Sequence, residues 1–122
     1  MKTKLGLVLV LLLALSLAAG QGLSFAAETM VIKGTIIDNA CAGSNKATLT
    51  EFIKTHPKSC AIQCEASGYS IFSDQGKLYQ FDQDSSKKIA EFLKKEDSGL
   101  KVTVKAMASG DKLVLESIEN QM

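Results

Sequence analysis

The sequence predicts a mainly β domain with a helical insert, and three observations carry that expectation. Leu100 to Ala108 alternates without error, with Leu100, Val102, Val104 and Ala106 on one face and Lys101, Thr103 and Lys105 on the other. Residues 69–74 and 77–82 are rich in aromatic and branched side chains and flank Gln75-Gly76, which is a hairpin signature. Between them and the first strand lies a stretch with apolar residues at helical rather than strand spacing.

The chain of 122 residues is unevenly apolar: 17 of its first 26 residues are apolar, against 46% for the whole. Lys2 and Lys4 precede an uninterrupted-charge-free run from Leu5 to Leu17, too short for the roughly 20 residues of a membrane span. Ser24 and Ala26 occupy positions −3 and −1 of a cleavage site, so residues 1–26 are expected to be a signal peptide and 27–122 a single exported domain, periplasmic or secreted. No Cys lies near that site to take a lipid, so no membrane attachment is expected after cleavage. Removing two lysines from a formal charge of +1 leaves −1. A near-neutral domain with acids and lysines interleaved lacks the basic excess that nucleic-acid binding requires.

Thr29 to Asp38 is expected as a strand with apolar residues on both faces: Met30, Ile32 and Ile36 on one, Val31 and Ile37 on the other. Gly34 in its middle marks a bend or bulge. Asn39 to Lys46 has the composition of a loop. Thr48 and Glu51 form a capping-box pair that opens a helix carrying Leu49, Phe52, Ile53 and His56 at i, i+3, i+4 and i+7. Pro57 breaks that helix and suits the first turn of another, expected over residues 57–67 with Gly68 as its stop.

After the hairpin, Asp84 or Ser85 is expected to cap a helix with Ile89, Phe92 and Leu93 on one face, ended by Ser98-Gly99. Asp82 and Asp84 resemble a paired carboxylate, but their place between strand end and helix start favours capping over acid-base work. Ser109-Gly110-Asp111 turns the chain from the alternating strand into a last one, Lys112 to Ile118. Five strands with a helix between the third and fourth is the order of an OB-fold, a five-stranded Greek-key barrel. Here a helical insert at about 39–68 would separate strands 1 and 2. Tyr69, Phe72, Tyr79 and Phe81 are expected mainly in its core.

All three cysteines and the only histidine fall between residues 41 and 64. Cys41, Cys60, Cys64 and His56 make a complete Cys3His set, suited to Zn or, with fewer ligands engaged, to Cu(I). Cys60 and Cys64 at i, i+4 share a helix face about 6 Å apart along the axis. His56 reaches them only if the chain breaks at Pro57, and Asp38 is placed to hydrogen-bond the histidine or to replace a ligand. Whether such an ion is structural or carried to a metal donor or acceptor stays open at this stage.

Two other readings accompany the metal one. A disulfide from Cys41 to Cys60 or Cys64 would pin the insert to the barrel of a non-enzymatic interaction module, leaving one thiol free, buried, or available to link a dimer. A thiol redox protein is the third, favoured by Cys60 in the first turn of its helix beside Lys58. The Cys-x-x-Cys and Cys-x-x-Cys-His motifs of thioredoxins and covalent haem are absent, as are Gly-rich phosphate loops and serine triad spacings. The balance is against an enzyme.

The pattern Asp38-Asn39-Ala40-Cys41, then His56-Pro57-Lys58-Ser59-Cys60 and Cys64, then Gly68 and a hairpin, resembles a largely uncharacterised group of small exported bacterial OB-fold-like proteins. The resemblance covers nearly all of residues 27–122. It implies the fold and the location of the site rather than an activity.

Overall fold

A computed structural model describes residues 28–122; the expected signal peptide lies outside the described residues. The elements are β1 (Thr29–Asp38), α1 (Asn39–Ser44), α2 (Leu49–Phe52), α3 (Lys58–Gln63), β2 (Tyr69–Ser73), β3 (Leu78–Gln80), α4 (Gln83–Leu93), β4 (Lys101–Ser109) and β5 (Lys112–Asn120). Short 3-10 turns at Lys46–Thr48 and Glu65–Ser67 join the pieces of the insert. No helix among the described residues is long and apolar enough to cross a membrane.

The strands form one antiparallel sheet in the order β3-β2-β1-β4-β5. Its two outer strands approach each other: Phe81, just after β3, makes a parallel bridge with Leu113 of β5, and the Asp82 amide donates to the Leu113 carbonyl at 3.0 Å. β1 serves two partners in succession, pairing with β4 through Thr29 to Thr35 and with β2 through Gly34 to Asp38. Gly34 is where the pairings overlap. A Cβ there would collide with the Phe72 carbonyl and stand 2.8 Å from the Ser73 Cα, so the close approach of β2 requires glycine.

Period-2 geometry divides the apolar residues of β1 between two clusters. Ile32 and Ile36 enter the main core with Tyr69, Ile71, Phe81, Ile89, Leu93, Val102 and Val104. Ile37 faces the other way, into a small second cluster with Ala42, Leu49 and Phe72, against which Phe52 and Ile53 pack. The expectation that both faces of β1 are buried along its length fails at Val31, which is 61% exposed, because the insert covers only the second half of the strand.

Helix α4 lies across the core on Ile89, Ala90 and Leu93. Its cap is Asp82, whose carboxylate accepts from the Ser85 amide at 2.9 Å, so capping falls two residues before the expected Asp84. The Ser85 and Ser86 hydroxyls, both buried, accept from the backbone amides of Leu115 and Tyr69 at 2.8 and 2.9 Å. These bonds satisfy amides of β5 and β2 that would otherwise be buried without partners.

Three local expectations are corrected in the insert. Asn39–Ser44 is helical rather than a loop, because the Asp38 carboxylate at the strand end caps it. Thr48 makes no side-chain cap bond: at φ −130°, ψ 26° its backbone is outside the extended region that aims a capping hydroxyl, and Glu51 pairs with Lys54 instead. The helix expected over 57–67 ends at Gln63 and passes through a 3-10 turn before Gly68, whose φ of 79° stops it as anticipated.

Candidate metal centre

The site begins with a strand ending on an acid. Asp38 is fully buried at the last position of β1, and its extended backbone (φ −70°, ψ 147°) turns the carboxylate back over the first turn of α1. Oδ2 accepts the Cys41 amide at 2.9 Å. The cap therefore fixes the carboxylate and the Cys41 backbone with one bond, and Cys41 is further held by the Asn45 amide, which donates to its carbonyl at 2.9 Å.

Cys64 is brought in from the far end of the insert. Its amide donates to the Cys60 carbonyl at 3.2 Å, closing the last turn of α3, and its carbonyl accepts the Ser67 hydroxyl at 2.8 Å. Ser67 in turn accepts the Ala40 amide, and Asn39 donates to the Ser67 carbonyl, so the two ends of the insert are stitched together beside the site. The Tyr69 hydroxyl pins α3 from below by donating to the Ala61 carbonyl at 2.8 Å, and burial pushes that phenol up to about 12.

One carboxylate oxygen of Asp38 and the sulfurs of Cys41 and Cys64 all lie within 4.8 Å of one another. This is the group in the described residues with the spacing and chemistry to take a cation. Two sulfurs and one oxygen suit Zn, which accepts Cys and Asp ligands together, better than Cu(I), which selects soft donors.

Asp38, expected from the sequence as a hydrogen-bond partner or alternate ligand, is one of the three residues of the close group. Cys60 lies outside the close group, and so does His56. The break at Pro57 swings the histidine toward Asp38 rather than toward Cys60. His56 is buried, its ring stands 5.0 Å from that of Phe52, and its Nε2 is 3.2 Å from Asp38 Oδ1. That approach misses hydrogen-bond geometry, and among the described residues both atoms are left without a hydrogen-bond partner.

The electrostatics follow from the placement of the carboxylate. Burial, reinforced by a hydrogen bond to and the charge of Asp38 and by the neighbouring thiols, pushes the Cys41 thiol up to about 11. In a Cys–His–acid arrangement the imidazole stands between thiol and acid and activates the thiol; here the acid is in the middle and opposes thiolate formation at Cys41. A bound cation would reverse that opposition by replacing the thiol proton.

Lys58, expected beside Cys60, is engaged elsewhere. The Lys58 ammonium donates to the carbonyls of Lys95 and Ser98 and to the Ser98 hydroxyl at 2.7 to 2.9 Å, anchoring α3 to the end of α4. Nor is the alternative bridge from Cys41 to Cys60 or Cys64 formed: all three cysteines are free thiols, each partly exposed. Tyr69, Phe72 and Phe81 are buried, which places them in packing rather than on a binding face.

A groove of about 1020 Å³ lies beside the centre, bordered by Ile53, His56, Lys58, Phe72 and Leu100, and includes neither Cys41 nor Cys64. His56 thus stands between this groove and Asp38. The structural roles of Asn39, Ser67 and Ser86 were not read from the sequence; Asp38 followed at once by Asn39 was the signal for a cap.

No family model, curated protein or solved structure matches this chain.

Proposed function

We infer that this is a small exported protein that holds one borderline divalent cation, Zn for preference, at Asp38, Cys41 and Cys64. The observation that carries the reading is the convergence of a fully buried carboxylate with two thiols inside 4.8 Å, with Oδ1 of that carboxylate lacking a hydrogen-bond partner. Burying a carboxylate this way costs several kcal/mol unless it is paired or coordinates a cation.

The scaffold is an OB-fold-like Greek-key barrel, a reading supported by the sheet order, by the parallel Phe81–Leu113 bridge between its outer strands and by α4 between β3 and β4. The basic start and short apolar run of residues 1–26 support export. His56 faces the Asp38 carboxylate at 3.2 Å and lies outside the ligand set.

Native mass spectrometry of the tag-free protein after addition of one equivalent of Zn tests the reading. One retained ion, lost on Cys41→Ser or Cys64→Ser, is the expected result. Protein that stays metal-free, or that arrives two mass units light from a disulfide, contradicts it.

A further inference from the structure

We propose that Cys60 is the exchange ligand of this centre, the partly exposed thiol through which the cation is passed to and from a thiol-bearing partner. The proposal rests on the metal reading above and decides between a locked and a transferable ion.

A structural Zn site closes with four protein donors, whereas a site that exchanges ligands keeps a position open. The close group here supplies three. His56, the other candidate for the fourth, is buried with its Nε2 facing Asp38 Oδ1 at 3.2 Å and lies outside the close group. Cys60 stands one helical turn before Cys64, whose amide closes the i to i+4 bond onto its carbonyl, so the two side chains rise on one face. It is not in the close group. It is also partly exposed, and the neighbouring Lys58 is committed to the end of α4. That leaves a third sulfur one helical turn from Cys64 and within reach of solvent.

Transfer through Cys60 is ligand substitution without redox change. An incoming thiol loses its proton to water as its sulfur bonds the ion. Cys60 likewise loses its proton to water as its sulfur replaces Cys41 or Cys64 on the ion. Further partner thiols, each losing a proton, then displace Cys60, the remaining cysteine and the Asp38 carboxylate, and each released thiolate takes a proton from water. The partner is accordingly a protein or peptide that offers thiolates.

Co(II) serves as the probe, because thiolate ligation gives it a sulfur-to-metal charge-transfer band. The wild-type protein should show that band and lose it to a Cys2His2 peptide acceptor. Cys60→Ser should keep the band and bind Co(II) within about threefold of wild type, yet transfer it roughly tenfold more slowly. Cys60→Ala should behave in the same way. An unchanged transfer rate in both variants overturns the proposal, and so does loss of the band in Cys60→Ser to the extent seen in Cys41→Ser, which would make Cys60 a resting ligand. Absence of the band in the wild type instead removes the centre itself.

Discussion

Asp38 Oδ1 and His56 Nε2 face each other at 3.2 Å, both buried, and neither has a hydrogen-bond partner among the described residues. The other oxygen of the same carboxylate caps α1 through the Cys41 amide. One side chain therefore ends a strand, starts a helix, meets a buried imidazole and brings a carboxylate oxygen within 4.8 Å of two thiols.

Asp38→Asn keeps a side-chain oxygen for the Cys41 amide but removes the charge. Zn affinity is expected to fall at least about tenfold, the scale of effects near bound metals, with the fold retained. Competition against a chromophoric chelator measures it; unchanged affinity would mean that the carboxylate does not touch the ion.

His56→Ala removes the neighbour of a buried carboxylate and the ring that packs on Phe52. The metal-free protein is expected to lose about 2 kcal/mol. Added Zn should recover part of that loss, since a ligand that binds only the folded state stabilises it. Thermal melts with and without Zn check the prediction, and an equal gap in both conditions would count against it.

The Cys41 thiol should be slow to alkylate. With its pKa moved from 9.0 to about 11, the thiolate population near pH 8 is about a hundredfold lower than for an unshifted thiol. Iodoacetamide labelling followed by peptide mass mapping at pH 8 should find Cys41 modified last. Labelling of Cys41 ahead of Cys60 would contradict the geometry.

Asp82→Ala should cost about 1 kcal/mol by removing the cap of α4, or roughly 4 to 8 °C in Tm for a domain of this size. Hydrogen bonds from Ser85 hold the Asp82 carboxyl below its ordinary 3.8. Because its folded pKa is lowered, its contribution is fully present above about pH 4 and is lost as pH falls through the lower folded value. The variant and wild type should therefore converge in stability in acid, a trend that denaturation at pH 7 and pH 2.5 resolves.

The strands were legible because their signal is local: alternation over Leu100 to Ala108 and a glycine between two aromatic-rich runs are enough to locate β4 and the hairpin. The insert was less so. Its helices are four to six residues long, shorter than two turns of periodicity, and their ends are set by the Asp38 cap and by tertiary bonds from Ser67 and Lys58. Clustering of Cys and His pointed to the segment that supplies Cys41 and Cys64 of the close group, but ranking donors by type put His56 ahead of Asp38. Which of the two joined the thiols depended on how the chain left Pro57, and no spacing rule contains that turn.

The central claim is that Asp38, Cys41 and Cys64 share one ion, and X-ray absorption at the zinc edge of the tag-free, Zn-loaded protein tests it most directly. The expected spectrum has two sulfur neighbours at about 2.3 Å and lighter oxygen or nitrogen neighbours at about 2.0 Å, unchanged in Cys60→Ser. A spectrum with no sulfur shell, or with three sulfurs in the resting protein, would contradict the account.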